Sequence, residues 1–422
     1  MHILIIPSEE YIPKHTPLAG IFQHDQAKIL QQNGHQVGAL SFTFKYSVSS
    51  LLNVLIGRKT KQTGALNFST SAQLLIKKIL FPYSSTFSFE TIDNISVVRC
   101  DGFWGLKKSN LPLSKFEIWI KYGDFAIKSY IKKYGRPDVI HAHNMIYAGL
   151  LASYLKQKNN IPIVITEHSS QYAMQPISSE INNKIIEVFK KEDYLFAVSP
   201  KLIELLQNKF TVTLNKIKWL PNVLDLKIEN ILLSLRKENT GNIRFLNIAN
   251  LIPLKGQEEL ILAFDKAFKD IENTELIIAG EGPLQNKLTE LSKQLNLSDK
   301  IKLIGLIDRE EVVKQLDDCH VFVLPSHYET FGVVLIEALS RGVPVISTYC
   351  GGPECIVNES NGILVEPKNV NQLAEALLKM YHHHNDYDKA LLRKEVITNY
   401  GKVAFYHNVL SIYHSFIASG TQ

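Results

Sequence analysis

Short apolar runs of strand length alternate with amphipathic stretches of helical length along the whole chain, and the alternation starts afresh near residue 240. Few folds accept that pattern. A strand, a helix and a second strand joined in sequence form a right-handed parallel crossover, with the helix laid on one face of the sheet. In the first half the strand-like runs fall at 3–6, 37–40, 95–99, 139–143, 161–166, 194–198 and 217–220. After a polar stretch at 237–242 they resume at 243–249, 275–279, 301–303, 321–324, 345–347 and 363–365. The expectation is α/β, with two doubly wound parallel-sheet domains facing one another. A length of 422 residues agrees, since it exceeds what one core usually holds. The turn Pro221-Asn222-Val223-Leu224-Asp225 reads as the junction. The expected division is 1–222 and 223–398, with 399–422 a terminal helix packing back on the first domain.

Open α/β sheets bind ligands outside the carboxyl ends of their strands. The stretch 325–344 is the richest such place. An apolar run, Val321-Phe322-Val323-Leu324, breaks at Pro-Ser-His-Tyr and passes through Thr330-Phe331-Gly332 into a helical pattern. Glu329 lies in the loop and Glu337 inside the helix, whose side chains lean toward its N-terminus. The amides of Phe331, Gly332 and Val333 would be unpaired there and form an anion site. Spacing alone leaves two readings: two ligand acceptors beside an anion hole, or an amphipathic helix with one half-buried Glu and one loop Glu.

Other strand ends supply Gly20, the loop Asn250 to Gly256 with Lys255, Gly282, Gly305, and Glu167-His168-Ser169-Ser170. Gly20 reads either as a close-approach glycine or as a plain helix start. His168 is a site candidate by position, whereas His141 reads as a satisfied structural histidine. The pair His141 and His143 has no third ligand at metal-like spacing. The run at 382–384 cannot share one helix face, and Asp386-Tyr387-Asp388 lies far from any strand end. No metal site is expected.

Bulk properties narrow the class. The hydrophobic fraction of 45% and charged fraction of 21% describe an ordinary globular protein, and a net charge of +5 does not point to nucleic acid. Cys100, Cys319, Cys350 and Cys355 form no CxxC pair, which suits a reducing cytoplasm. The start MHILIIPSEE is too short and too acidic for a signal peptide, and no apolar run approaches the ~18 residues of a spanning helix. Residues 51–81 set apolar segments beside Arg58, Lys59, Lys61, Lys77 and Lys78. They read either as core helices with solvated lysine faces or as a peripheral contact with the inner face of an anionic plasma membrane.

One lysine, an amide-lined helix mouth and a close-approach glycine make a diphosphate site. Two carboxylates beside it suit the hydroxyls of a ribose and a sugar. The stretch PSHYETFGVVLIEALSRGVPVI is similar to the signature of glycosyltransferase family 4, the retaining enzymes with a Glu-x7-Glu motif, matched here by Glu329 and Glu337. NLIPLKG resembles the family's GRLxxxKG loop, and AGEGP, GLIDREE, CGGPE, NGILV, PNVLD and VIHAH fit their places. The resemblance implies a GT-B fold, two Rossmann-like domains facing across a cleft. It implies that Lys255 contacts the donor diphosphate, Glu337 the ribose and Glu329 the transferred sugar. It places the amides of Phe331, Gly332 and Val333 on the phosphate, Gly305 near the nucleobase, His168 near the reacting sugar, and Gly20 near phosphates and acceptor.

One departure stands out. The family's usual arginine is Asn250 here, which carries no charge. Lys255 then acts alone, or Arg309 or Arg244 substitutes. The expected activity is metal-independent retaining transfer of a sugar from a nucleotide-diphosphate sugar to a glycan or lipid-linked acceptor, in bacterial surface polysaccharide assembly. A nucleotide-sugar epimerase of the same fold and a non-catalytic nucleotide-sugar binder are the alternatives. A dehydrogenase is disfavoured, because neither half carries a GxGxxG turn with its ribose-binding acid.

Overall fold

The computed structural model describes residues 1–12, 20–46, 48–58, 67–80, 87–103, 112–174, 176–192, 194–211, 216–233 and 241–419. Lys59 and Lys61 of the basic cluster, and the polar run as far as residue 240, lie outside them. The chain forms two compact units. The first comprises Met1–Ala197, Leu205–Lys218 and Val409–Gln422; the second comprises Val198–Glu204 and Trp219–Asn408. This differs from the expected division at 198–204, 219–222 and 399–408, and local bonds account for the first and the last. Val198 O accepts from Trp219 Nε1 at 3.1 Å, which keeps 198–204 with the second unit. Tyr400 O accepts from Leu224 N at 2.8 Å and the Lys402 amide donates to Glu229 at 2.9 Å, so the terminal helix begins there too.

The first unit is built on β1 (His2–Ile6), β2 (Gln36–Tyr46), β3 (Phe87–Ile92), β4 (Ile95–Phe103), β5 (Val139–His143), β6 (Ile163–Glu167), β7 (Leu195–Ala197) and β8 (Ile217–Trp219). The sheet order is β3-β4-β2-β1-β5-β6-β7-β8. β3 pairs antiparallel with β4, whereas β4, β2, β1, β5, β6 and β7 pair in parallel. The direction of winding reverses between β1 and β5. Every residue of β1, β5 and β6 is buried, as a parallel sheet covered on both faces requires.

Its helices are α1 (Ile21–Gln32), α2 (Val48–Leu55), α3 (Phe68–Leu80), α4 (Pro112–Tyr134), α5 (Leu150–Asn159), α6 (Gln171–Met174) and α7 (Ser179–Lys191). The helix expected from Met145 is interrupted. A π-type turn, Met145–Gly149, carries Tyr147 at φ 68 and Ile146 at an extended ψ of 128 before α5 begins. The backbone there is held by polar partners instead of a helical ladder: Ser8 Oγ donates to Ile146 O at 3.0 Å, and Met145 N donates to Glu167 at 2.7 Å.

In the second unit the strands are β9 (Ile243–Ile248), β10 (Thr274–Ala279), β11 (Ile301–Gly305), β12 (Val321–Leu324), β13 (Val345–Thr348) and β14 (Gly362–Val365). All pair in parallel, in the order β11-β10-β9-β12-β13-β14. This is the dinucleotide-fold order, with its switch point between β9 and β12. The helices after α7 are α8 (Pro200–Phe210), α9 (Leu226–Asn230), α10 (Gln257–Phe268), α11 (Gln285–Gln294), α12 (Arg309–Asp318), α13 (Val333–Ser340), α14 (Val370–His383), α15 (Lys389–Tyr400) and α16 (Lys402–Ser419). On α10, Leu260, Ile261, Ala263, Phe264, Ala267 and Phe268 recur at helical spacing and are buried. Phe245 of β9 stacks into this face, with ring centroids 5.1 Å from Phe268 and 6.1 Å from Phe264. α12 starts where its acidic residues direct it, with the Asp308 carboxylate accepting from Glu311 N at 2.9 Å.

The strands β9 and β12 are paired only through Phe245 with Val321 and Leu246 with Phe322. Beyond that the Asn247 amide bridges to Val323 O at 2.8 Å, so the two strands part toward their carboxyl ends. The loops that follow meet again at Gly256. Its φ is 69, and a Cβ there would lie 2.0 Å from Pro325 O. Gly256→Ala should therefore cost roughly 2–4 kcal/mol, combining a strained backbone with a backbone clash. Gly305→Ala, at φ 75 but facing open space, should cost only about 1 kcal/mol. Urea unfolding of both variants checks the difference; equal losses would show that the contact with Pro325 carries no weight.

Candidate functional site

The second unit's loops after β9 and β12 flank its switch point. A short 3-10 turn, Pro253–Lys255, follows β9 and delivers Lys255. Its Nζ donates to Glu329 Oε1 at 2.5 Å, and Ser326 Oγ donates to the same oxygen at 2.8 Å. The side chains are 21% and 13% exposed, so the pair is sheltered yet reachable. The backbone of Glu329 is fixed independently: its amide donates to Cys350 O at 3.1 Å, and its carbonyl accepts from Gly352 N at 2.8 Å. His327 N donates to Leu254 O at 2.8 Å, which ties the two loops together. Asn250 lies in the same loop as Lys255 and is exposed, its carbonyl accepting from Gln257 Nε2 at 3.1 Å. It brings no charge.

Beside this pair opens the N-terminus of α13. Gly332 is its cap at φ 95, with no side-chain hydrogen bond, and among the described residues nothing accepts from the amides of Phe331, Gly332 and Val333. Gly352 packs on this mouth so closely that a Cβ would lie 2.3 Å from Phe331 N. Three free amides and the positive end of a helix make a site for an anionic group.

Glu337 sits in the middle of α13 and is buried. Its Oε1 accepts from Arg309 Nη2 at 2.8 Å, and Asp225 Oδ2 lies 2.6 Å from the same nitrogen. Burial pushes the Glu337 carboxyl up, and Arg309 opposes that shift. Burial also works against the Arg309 charge, but Glu337 and Asp225 outweigh it and raise its pKa. Glu329 and Glu337 are thus held by different cations. Arg309 stands between two carboxylates, Glu337 and Asp225. Arg244 stands at the amino end of β9, the end opposite the loop that carries Asn250, and is bound to Glu275 at 2.7 Å. Gly305 closes β11 at φ 75 with open space beside it.

The first unit gathers its polar residues at the carboxyl ends of β5 and β6. His143 Nδ1 and His168 Nε2 share a hydrogen bond of 3.0 Å, and the Phe22 ring lies 4.7 Å from that of His168. The His168 amide donates to Asn144 Oδ1 at 2.9 Å and to Glu167 at 3.0 Å. Glu167 is the organiser here. Its carboxylate also accepts from Met145 N, Ser169 N and the Tyr172 hydroxyl, and burial raises its pKa against the pull of those donors. His141 is satisfied as expected, sharing hydrogen bonds of 2.7 Å with the Tyr413 hydroxyl and 2.8 Å with Thr166 Oγ1. Burial, reinforced by His168, pushes its pKa down to about 3. Gly20 caps α1 at φ 72.

Sequence reading brought Lys255 and Glu329 to one place, and they are in contact. It missed Ser326, Asp225, Asn144 and the part played by Glu167. Ser326 was legible from its spacing to Glu329; Asp225 gave no local signal, because its partners are distant in the chain. Among the described residues no cluster of His, Cys, Asp and Glu could hold a metal ion, and the histidine run is engaged locally, His383 with Asp386 at 2.9 Å.

Two family patterns match the chain: Glycosyl transferases group 1 over residues 234–395 and Glycosyltransferase Family 4 over residues 94–228. A glycogen synthase of Mycobacterium tuberculosis is 29% identical over 249 residues, covering 57% of this chain and 59% of that protein. The chain therefore spans under two thirds of this relative's length. Among solved structures, the sucrose-phosphate synthase of Thermosynechococcus elongatus superposes with a TM-score of 0.69 at 20% identity, covering 99% of this chain and 100% of that one. Anabaena HepE in complex with UDP gives 0.66 at 18% identity, covering 98% and 100%. At such identities the likeness is one of fold, and the fold is that of GT-B glycosyltransferases.

The buried histidines set a pH dependence. The unfolded chain protonates His141 near 6.5, while the folded ring resists down to about 3. Stability is full above pH 6.5 and falls as pH drops toward 3, by about 1.4 kcal/mol per pH unit. His143, also pushed well down by burial, acts in the same direction. Urea unfolding at pH 7, 6 and 5 should show this slope, and His141→Gln should flatten it by close to one proton. An unchanged slope would count against a neutral buried ring.

Proposed function

The chain belongs to the group 1, family 4 glycosyltransferases, and on that premise we propose that it transfers a sugar, with retention, from a nucleotide-diphosphate sugar to a glycan or lipid-linked acceptor in surface polysaccharide assembly. The observation that carries this reading is the Lys255–Glu329 contact at the switch point, beside the uncapped mouth of α13. A cation, a carboxylate and free amides within one set of loops suit a diphosphate bonded to a sugar.

In the proposed reaction the diphosphate draws Lys255 away from Glu329 and settles on the amides of Phe331, Gly332 and Val333. Glu329 is then free to accept from hydroxyls of the sugar. As the glycosidic bond to phosphate breaks, positive charge develops on the sugar ring and negative charge on the departing phosphate. Lys255 and the helix mouth stabilise the latter in a sheltered site. The acceptor arrives on the face the leaving group vacates, and the departing phosphate takes its proton. Glu337 holds the ribose and Gly305 flanks the base. His168 and Gly20, in the first unit, are proposed to serve the reacting sugar and the acceptor. Asn250 leaves Lys255 as the one cation of its loop.

Peripheral membrane contact at the inner face is a further part of the proposal. Leu52 on α2, Ile56 just beyond its end, and Phe68 and Ile76 on α3 are 45%, 65%, 66% and 57% exposed, and the exposed Arg58 follows Ile56 by two residues. No helix of the described residues is long and apolar enough to cross a membrane.

A thermal-shift screen of nucleotide sugars, followed by transfer assays with and without EDTA, tests the donor assignment. Lys255→Ala and Glu329→Ala should each lower turnover by about 100-fold or more with the thermal midpoint retained. Near-normal turnover of Lys255→Ala would sink the diphosphate assignment. Conversion of donor to an isomerised sugar without acceptor would favour an epimerase instead. For the membrane contact, flotation with vesicles containing anionic phospholipid should carry the protein, and Ile56→Glu with Phe68→Glu should abolish it. Failure of the unmodified protein to float removes this part.

A further inference from the structure

Arg309 is the first residue of α12 and is 14% exposed at its side chain. One nitrogen, Nη2, serves two carboxylates, Glu337 at 2.8 Å and Asp225 at 2.6 Å, which are 5% and 3% exposed. The cluster therefore carries one surplus negative charge out of contact with bulk water. Asp225 is already committed, because its Oδ1 accepts from the amides of Lys227 and Ile228 at 2.8 and 3.1 Å. Glu337 is not. Its Oε1 takes the Arg309 bond, and among the described residues its Oε2 accepts none. The charged groups acting on Glu337 are Arg309 from α12 and Asp225 from the cap of α9. One assists its ionisation and the other opposes it.

We propose that Arg309 is a positioning residue for the donor: it keeps Glu337 ionised and ties down one carboxylate oxygen, leaving the other to accept from the ribose hydroxyls. This rests on the reading of Glu337 as the ribose acceptor. Without the guanidinium, a buried carboxyl next to Asp225 takes up a proton. A protonated carboxyl offers fewer acceptor sites and adds a donor where ribose also presents donors. Arg309 then matters to the nucleotide without touching it, and only through the diol.

The test compares binding of nucleoside diphosphates with that of their 2′,3′-dideoxy counterparts, by calorimetry on the full chain. UDP, GDP and ADP are tried, and the tightest is carried forward. Arg309→Met should weaken the ribonucleotide about tenfold while leaving the dideoxy nucleotide within about twofold. The deficit should shrink as pH rises and Glu337 regains its charge, while the unmodified protein stays flat. Arg309→Lys should recover most of the affinity. Equal loss for both ligands, or a loss that ignores pH, overturns the inference. If Arg309→Met shows no cooperative thermal transition, Asp225→Asn reads the same device from its other side. That variant retains the helix cap and removes the competing charge, so ribonucleotide affinity should equal or exceed that of the unmodified protein; a weaker affinity overturns the inference. The ribose reading fails separately, if the unmodified protein does not distinguish ribo from dideoxy or if Glu337→Gln leaves binding unchanged. If none of the three diphosphates binds the unmodified protein, the nucleotide reading falls and this inference with it.

Discussion

One backbone contact determines where the chemistry of the second unit sits: the carbonyl of Pro325 packed against Gly256, where any Cβ would lie 2.0 Å away. Parallel strands place all their following loops on one edge, but they do not bring particular loops together. Asn247 holds β9 and β12 apart at their ends by bridging to Val323 O, and the Gly256 contact closes the loops again one step beyond. Lys255 precedes that glycine and Ser326 follows that proline. Their meeting on one oxygen of Glu329 is a consequence of the backbone, and the ion pair need not create it.

The two units share a winding rule and differ in electrostatics. At the switch point of the first, the buried ionisable groups include His141, His143 and Glu167. Burial keeps both rings neutral, and four donors surround the Glu167 carboxylate. At the switch point of the second, the groups are ions in pairs, with Lys255 on Glu329 and Arg309 on Glu337. A neutral histidine array is suited to hydroxyl recognition. Amides without an acceptor beside a lysine are suited to phosphate. The same topology thus offers two chemistries, and the difference lies in which residues end the strands.

Much of this was legible in the sequence, for physical reasons. The β12–loop–α13 passage reads clearly because apolar period, loop residues and helix pattern all change within a few positions. Lys255 and Glu329 could be brought together because both follow central strands of a parallel sheet. What escaped was long-range pairing of polar groups. Nothing local to Arg309 says that two carboxylates, one before β9 and one on α13, converge on it. The break after β5 also escaped, because Met145 to Gly149 has the apolar content of a helix start. Its backbone follows Glu167 and Ser8 instead, residues that local periodicity cannot see. The carboxylate partners of Arg309 and Arg244 were hidden on the same ground.

The hydrogen bond between Tyr413 and His141 has a consequence for how the molecule is made. The segment Val409–Gln422 belongs to the first unit, and Tyr413 is buried against a strand whose residues precede it by 272 positions. During synthesis the first sheet emerges early, yet the buried side chain of Tyr413 arrives after the second unit. Until then His141 has Thr166 but lacks its Tyr413 partner, and the first unit carries an unfilled place in its core. The first unit is thus finished last, although it begins the chain. Closing so long a loop adds little entropy per added residue once the second unit has folded and shortened the path. Order of appearance and order of completion are reversed in this protein, and a single tyrosine marks the reversal.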